Sequence, residues 1–154
     1  MSTSATPLDR LREIVREAKE PLFLLGDFES AGTPEEVAAG LDVLMREGTI
    51  TRVGDDLYAR MVTSWLTKEP VPEGTLQQLA RIYARRVGAI PVPTAFEFEK
   101  LEGRHNQVSV GRTVGVDRPL DVELRWNDHV VKFEYVPNGV ERYRALPATA
   151  FVAS

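Results

Sequence analysis

The chain has 154 residues, 43% of them hydrophobic and 27% charged, with ten prolines, eleven glycines and no cysteine. That length fits one ordinary domain or two small ones, and it buries roughly 68–70% of its unfolded surface without needing staples. The missing cysteines exclude disulfides, thiolate zinc sites, iron–sulfur clusters and cysteine nucleophiles, and the formal net charge of −4 speaks against indiscriminate nucleic-acid binding, which depends on neutralising phosphates.

Residues 1–6 are polar and lack the basic and apolar regions of a secretory leader. Thr6, Pro7 and Asp9 then mark a helix start, with a hydroxyl cap, proline in the first helical position and a carboxylate at the positive end of the dipole. Leu8, Leu11, Val15 and Ala18 line one face of this first helix, and Pro21 stops it. Leu22 to Leu25 is a short apolar run that predicts a strand; it is also far below the roughly 20 residues of a membrane span. Gly26-Asp27 offers a turn and cap for a short second helix from Phe28 to Ala31, ended by Gly32.

Thr33, Pro34 and Glu36 spell a complete capping box. The third helix, which starts there, carries Val37, Ala38, Leu41, Leu44 and Met45 on one stripe, and Gly48 ends it. Residues 49–53 and 57–61 are β-prone runs around Gly54-Asp55-Asp56, which predicts a hairpin. Val62 to Gly74, with Pro70 and Pro72, reads as a linker, and Trp65 within it as an anchor packed onto one of the two halves.

A fourth helix is expected from about Thr75 to Val87, with Leu76, Leu79, Ile82, Tyr83 and Val87 inward and Gly88 at its end. Ala89 to Pro93 reads as a short edge strand, and Thr94 as the cap of another short helix through Phe96, Phe98 and Leu101, ended by Gly103. Alternation in Leu120 to Trp126 and in Val131 to Tyr135, around Asn127-Asp128, predicts a hairpin with one buried face. Asn138-Gly139 supplies a further turn, so Val140 to Leu146 is expected as a third strand.

These elements give an α+β chain: a winged helix-turn-helix over residues 1–66, then a small α+β region over 67–154 with a C-terminal antiparallel hairpin or three-stranded sheet. In a winged helix three helices share a small core, the hairpin covers its open edge, and the third helix faces outward toward the major groove. The acidity sits in that module. Residues 1–66 carry seven Lys/Arg against twelve Asp/Glu, a net of −5.

The stretch from about Arg12 to Arg104 resembles the AbiEi-type antitoxins of bacterial type IV toxin–antitoxin systems. The resemblance is carried by Phe23 with Asp27-Phe28, by Val37, Leu41 and Leu44, by residues 47–52 followed by Leu57-Tyr58, and by residues 79–90 with Pro93 beyond them. It implies an N-terminal winged helix that binds operator DNA and represses its own operon, and a C-terminal region serving the antitoxin role. Where relatives carry a basic or polar residue in the third helix and Arg-Gly before the wing's Leu-Tyr, this chain has Asp42-Val43 and Asp55-Asp56.

Ser30, Thr33, Arg46, Arg52 and Arg60 are the candidate DNA contacts. Gln77, Arg81 and Arg85, spaced by four on the fourth helix with Arg86 alongside, form a basic stripe for phosphate or an acidic partner. His105 and His129 have no second ligand at metal spacing, Ser64 and Ser109 sit in no nucleophile elbow, and Gly111 to Gly115 reads as a turn between β segments. The expectation is therefore a cytoplasmic regulator, not an enzyme, without metal or cofactor. The alternative is a winged-helix module that binds a toxin or defence component as a protein partner.

Overall fold

The computed structural model describes residues 5–102 and 112–146. The chain is α+β and divides into two compact units, Met1–Thr75 and Leu76–Ser154. The division falls at the start of the fourth predicted helix, after the segment expected as a linker.

The first unit opens with α1 (Pro7–Glu17), whose Thr6 side chain accepts from the Asp9 N–H at 3.1 Å while the Asp9 carboxylate accepts from the Thr6 N–H at 3.2 Å. This reciprocal bonding holds the Asp9 carboxyl below its usual range. β1 (Leu22–Leu24) leads into a 3-10 helix at Leu25–Ala31. Asp27 does not cap a separate helix there; it accepts from the Leu24 N–H at 3.0 Å and fixes the helix start three residues upstream. α2 (Pro34–Glu47) begins at the expected box, Thr33 with Glu36, and ends at Gly48 with φ 80, a left-handed conformation that costs a glycine nothing. Leu11, Val15, Phe23, Phe28, Leu41, Leu44 and Ile50 close the core between these elements. Phe28 stacks obliquely on Phe23, with ring centroids 5.5 Å apart, and meets Tyr58 edge-on at 6.1 Å.

β2 (Ile50–Gly54) and β3 (Leu57–Thr63) form the expected hairpin, with Asp56 at φ 56 in the turn. The sheet runs β1-β3-β2. Beyond the hairpin the expectation fails, because residues 62–74 are not a linker. β3 continues to Thr63, the chain turns, and β4 (Pro70–Pro72) returns antiparallel, pairing Met61 with Pro72 and Thr63 with Pro70. β1 and β4 therefore share one edge of β3. Nor is Trp65 an anchor, since it stands 82% exposed at the tip of the β3–β4 connection, beside Leu66 at 73%.

The second unit wraps α3 (Leu76–Arg86) against a four-stranded sheet of order β5-β6-β8-β7. β5 (Pro91–Val92) is one edge strand; β6 (Thr113–Val116) pairs antiparallel to it and parallel to β8 (His129–Tyr135), and β7 (Glu123–Trp126), the other edge, completes the predicted hairpin. Two expectations are corrected. Residues 113–115 are strand, not turn, and the third partner in the sheet is this upstream β6, so the sheet is mixed. Residues 140–146 do not form a strand: α5 (Gly139–Arg144) follows Asn138, and Arg142 lays its guanidinium over the Phe98 ring at 4.3 Å. Phe98 belongs to α4 (Ala95–Leu101), which Thr94 and Glu97 cap reciprocally as expected. Gly115 is required by contact: a Cβ there would lie 2.4 Å from the Val92 carbonyl oxygen and 2.8 Å from that of Pro93. The expected helix end at Gly103, together with His105, Ser109 and Gly111, lies outside the described residues.

Candidate functional site

Arg60 decides how much of the expected reading surface survives. It sits in β3 where β1 ends and β4 begins: its N–H donates to the Pro21 carbonyl at 2.7 Å and its own carbonyl accepts from the Glu73 N–H at 2.8 Å. The side chain reaches inward. Nη1 donates to the carbonyls of Val15 and Ala18, both at 2.8 Å, and Nε and Nη2 grip the Glu73 carboxylate at 3.0 and 2.9 Å. The guanidinium thus satisfies the negative end of α1 and ties it to the strand that returns along β3. It is only 17% exposed and holds the Glu73 carboxyl below its usual range. Four of the five guanidinium N–H donors of Arg60 are thus committed inside the fold, which leaves little for the phosphate contact expected of it.

The other candidates are dispersed. Thr33 spends its hydroxyl oxygen on the Glu36 N–H at 3.2 Å. Arg46 folds back to the Asp42 carbonyl at 3.3 Å, and Arg52 to the Gly54 carbonyl at 3.2 Å with Asp55 at 3.9 Å. Ser30 is exposed on the 3-10 helix. Glu47, at the end of α2, is clamped by Arg12 at 2.5 and 2.6 Å, which lowers the Glu47 pKa and raises that of Arg12.

What the structure brings together is a groove, which the residue-by-residue reading missed. It runs along α2 between the 3-10 helix and the hairpin, with a volume of about 610 Å³. Leu25, Val37, Ala38, Leu41, Met45 and Tyr58 supply apolar lining; Glu29, Asp42 and Asp56 bring three carboxylates, and Arg52 the one guanidinium. Tyr58 registers this environment. Burial pushes its phenol above the ordinary range, Arg52 opposes that, and Asp56 and Asp42 reinforce it. The signal available in the sequence was the pairing of Asp42 with Asp56 beside an apolar helix stripe. The fold was needed to set them around one opening.

In the second unit, α3 turns Leu76, Leu79, Ala80 and Ala84 inward, and Tyr83 meets Phe133 at 5.9 Å. Gln77 and Arg81 are half-buried, whereas Arg85 and Arg86 are exposed. The basic stripe is therefore a flank that emerges into solvent only at the C-terminal end of the helix. His129 is exposed at the start of β8. Among the described residues no group of three or more His, Asp or Glu could hold a metal ion, and no helix is long and apolar enough to cross a membrane.

The comparisons define no class. No family model matches the chain, and no solved structure matches it. A stretch of 75 residues is 33% identical to part of an alanine–tRNA ligase from Pyrobaculum arsenaticum, covering 49% of this chain and 8% of that enzyme.

Proposed function

We propose that the chain is a non-enzymatic, cytoplasmic regulator of the antitoxin type, whose first unit is a winged helix-turn-helix that docks a protein through the groove along α2. The winged-helix reading is supported by the element order and by the β1-β3-β2 sheet in which the hairpin flanks α2. The resemblance to AbiEi-type antitoxins supports a toxin or another defence component as the partner.

The observation that carries the docking reading is the groove itself, apolar within and bordered by three carboxylates against one guanidinium. A DNA duplex would meet those carboxylates with phosphates. With Arg60 committed internally, Arg46 and Arg52 offer at most two phosphate contacts on this face, a log–log salt slope of about −1.8, whereas six to ten contacts are usual for a protein that loses about 10³–10⁵ in affinity between 50 and 200 mM salt.

The second reading is an operator-binding autorepressor, favoured by the winged-helix order with Arg46 exposed in the last turn of α2 and Arg52 exposed in β2. One experiment separates the two. The full chain is titrated with duplex from its own upstream region at low salt, and separately with the product of the neighbouring gene. Docking predicts no DNA shift and a stoichiometric protein complex that Glu29→Lys with Asp42→Lys abolishes. A salt-sensitive shift on upstream DNA, unchanged by those substitutions, overturns it.

A further inference from the structure

We infer that the groove along α2 receives the Trp65–Lys68 loop of a second copy of this chain, closing a two-fold dimer with which the proposed toxin or defence component competes; the inference rests on the reading of the groove as a protein-docking site. The groove sets the chemistry of its occupant. An apolar surface fills it, but three carboxylates around the opening need a cation close to that apolar surface, because desolvated charge without a partner is costly. The chain carries such a segment. Trp65 and Leu66 are the two most exposed large apolar side chains among the described residues, and Lys68 comes two positions later, itself exposed.

The loop is built rather than slack. Ser64 Oγ accepts from the N–H groups of Leu66 and Thr67 at 3.2 and 3.3 Å, and the Ser64 carbonyl accepts from the Lys68 N–H at 2.8 Å. Thr67 Oγ1 accepts from the Glu69 N–H at 3.3 Å, and the Ser64 N–H donates to the Glu69 carbonyl at 2.8 Å. Lys68 is held at φ 64. A tryptophan presented on a preorganised loop loses little freedom on docking and is the residue type that most often anchors an interface.

The loop does not fill its own groove. The groove includes Asp56 and Tyr58 at one end of β3, and the loop leaves the other end after Thr63; a strand of that length spans roughly 20 Å. β4 pins the loop there. A second copy is therefore the donor, and a two-fold arrangement satisfies both loops and both grooves in the smallest closed assembly, where a head-to-tail one builds a larger ring or an open filament.

Sedimentation velocity on the full chain tests this. The unaltered chain is expected to show a monomer–dimer equilibrium. Trp65→Ser, which removes the anchor, and Glu29→Lys with Asp42→Lys, which reverses charge at the groove, each weaken it at least about thirty-fold, the scale of losing a hot-spot side chain. Trp65, Glu29 and Asp42 are all exposed, and thermal midpoints verify folding. Mixing the two variants is the decisive arm: the mixed dimer keeps one intact loop-in-groove contact and concentrates both lesions in the other, so it is expected to be weaker than the parent dimer yet tighter than either variant's own. In a Trp126→Phe background, Trp65 emission shifts to the blue as the dimer forms.

A chain that stays monomeric up to its solubility limit, a Trp65→Ser variant that dimerises as well as the parent, or an open-ended polymer overturns the inference. If the chain is monomeric but still binds the neighbouring gene product through the groove, the self-docking is refuted and the proposed function stands. If it binds neither, both fall.

Discussion

Replacing Arg60 with alanine tests whether this side chain is a structural clamp or a phosphate contact. Its two bonds to the Val15 and Ala18 carbonyls come from a charged, largely buried donor; at about 1–1.5 kcal/mol each they are worth roughly 2–3 kcal/mol. The Glu73 pair adds less, since that carboxylate is 40% exposed and solvent screening leaves about 0.5–1 kcal/mol. The expected loss is about 3 kcal/mol. For a unit of this size a loss on that scale lowers the melting temperature by roughly 12–24 °C.

Urea unfolding of the full chain, followed by circular dichroism, measures it against Glu73→Gln, which is expected to cost only the smaller term. The pH dependence carries a sign. Glu73 has a depressed pKa in the folded chain because Arg60 donates to it, so its contribution is present above the ordinary carboxylate range and is lost as the pH falls through the depressed value. Arg60→Ala removes that part of the acid limb. If Arg60→Ala costs less than about 1 kcal/mol, or no more than Glu73→Gln, the clamp is refuted. A lost phosphate contact would instead flatten a DNA salt slope by about 0.9 and leave stability untouched.

Thr33→Ala removes the reciprocal cap of α2 and is expected to cost about 1 kcal/mol, with Thr33→Ser restoring most of it in the same urea titration. Gly115→Ala drives a methyl into the carbonyls of Val92 and Pro93; at about 2–3 kcal/mol it should destabilise the second unit, read by faster amide exchange across β5 and β6. Gly48→Ala, at φ 80 with open space around it, is expected to cost about 1 kcal/mol from backbone strain alone, and Gly48→Asn less.

The first unit was legible wherever an element announced its own ends. Thr6 with Asp9, Thr33 with Glu36, and Gly48 act within one helical turn, so the residues that carry the signal are also those that make the bonds. The failures came where the partner is distant. β6 finds β8 about twenty residues further along the chain, and nothing in Thr113 to Val116 names a parallel neighbour. Asn138 takes φ 58, as a turn residue does, yet residues 139–144 go on as a helix rather than a strand, with Arg142 placed over the distant Phe98 ring. Arg60 reads as one more surface base until Val15, 45 residues earlier, supplies its acceptor. The groove is the same lesson at larger scale: its carboxylates come from the 3-10 helix, α2 and the hairpin turn.

The two prolines of β4 have a consequence for how the first unit can associate. Val71 lies opposite Val62, between the bonds that Glu73 and Ser64 make across the pair. That alternation turns the polar groups of Val71 toward β3 and leaves the ring nitrogens of Pro70 and Pro72 on the outer side. Along this border the unit offers carbonyls but no amide hydrogens, so an arriving strand cannot complete a ladder and the sheet cannot be extended from outside. Residues that look like slack between two halves are the seal on the sheet's margin, and whatever binds the first unit there must be recognised by its side chains.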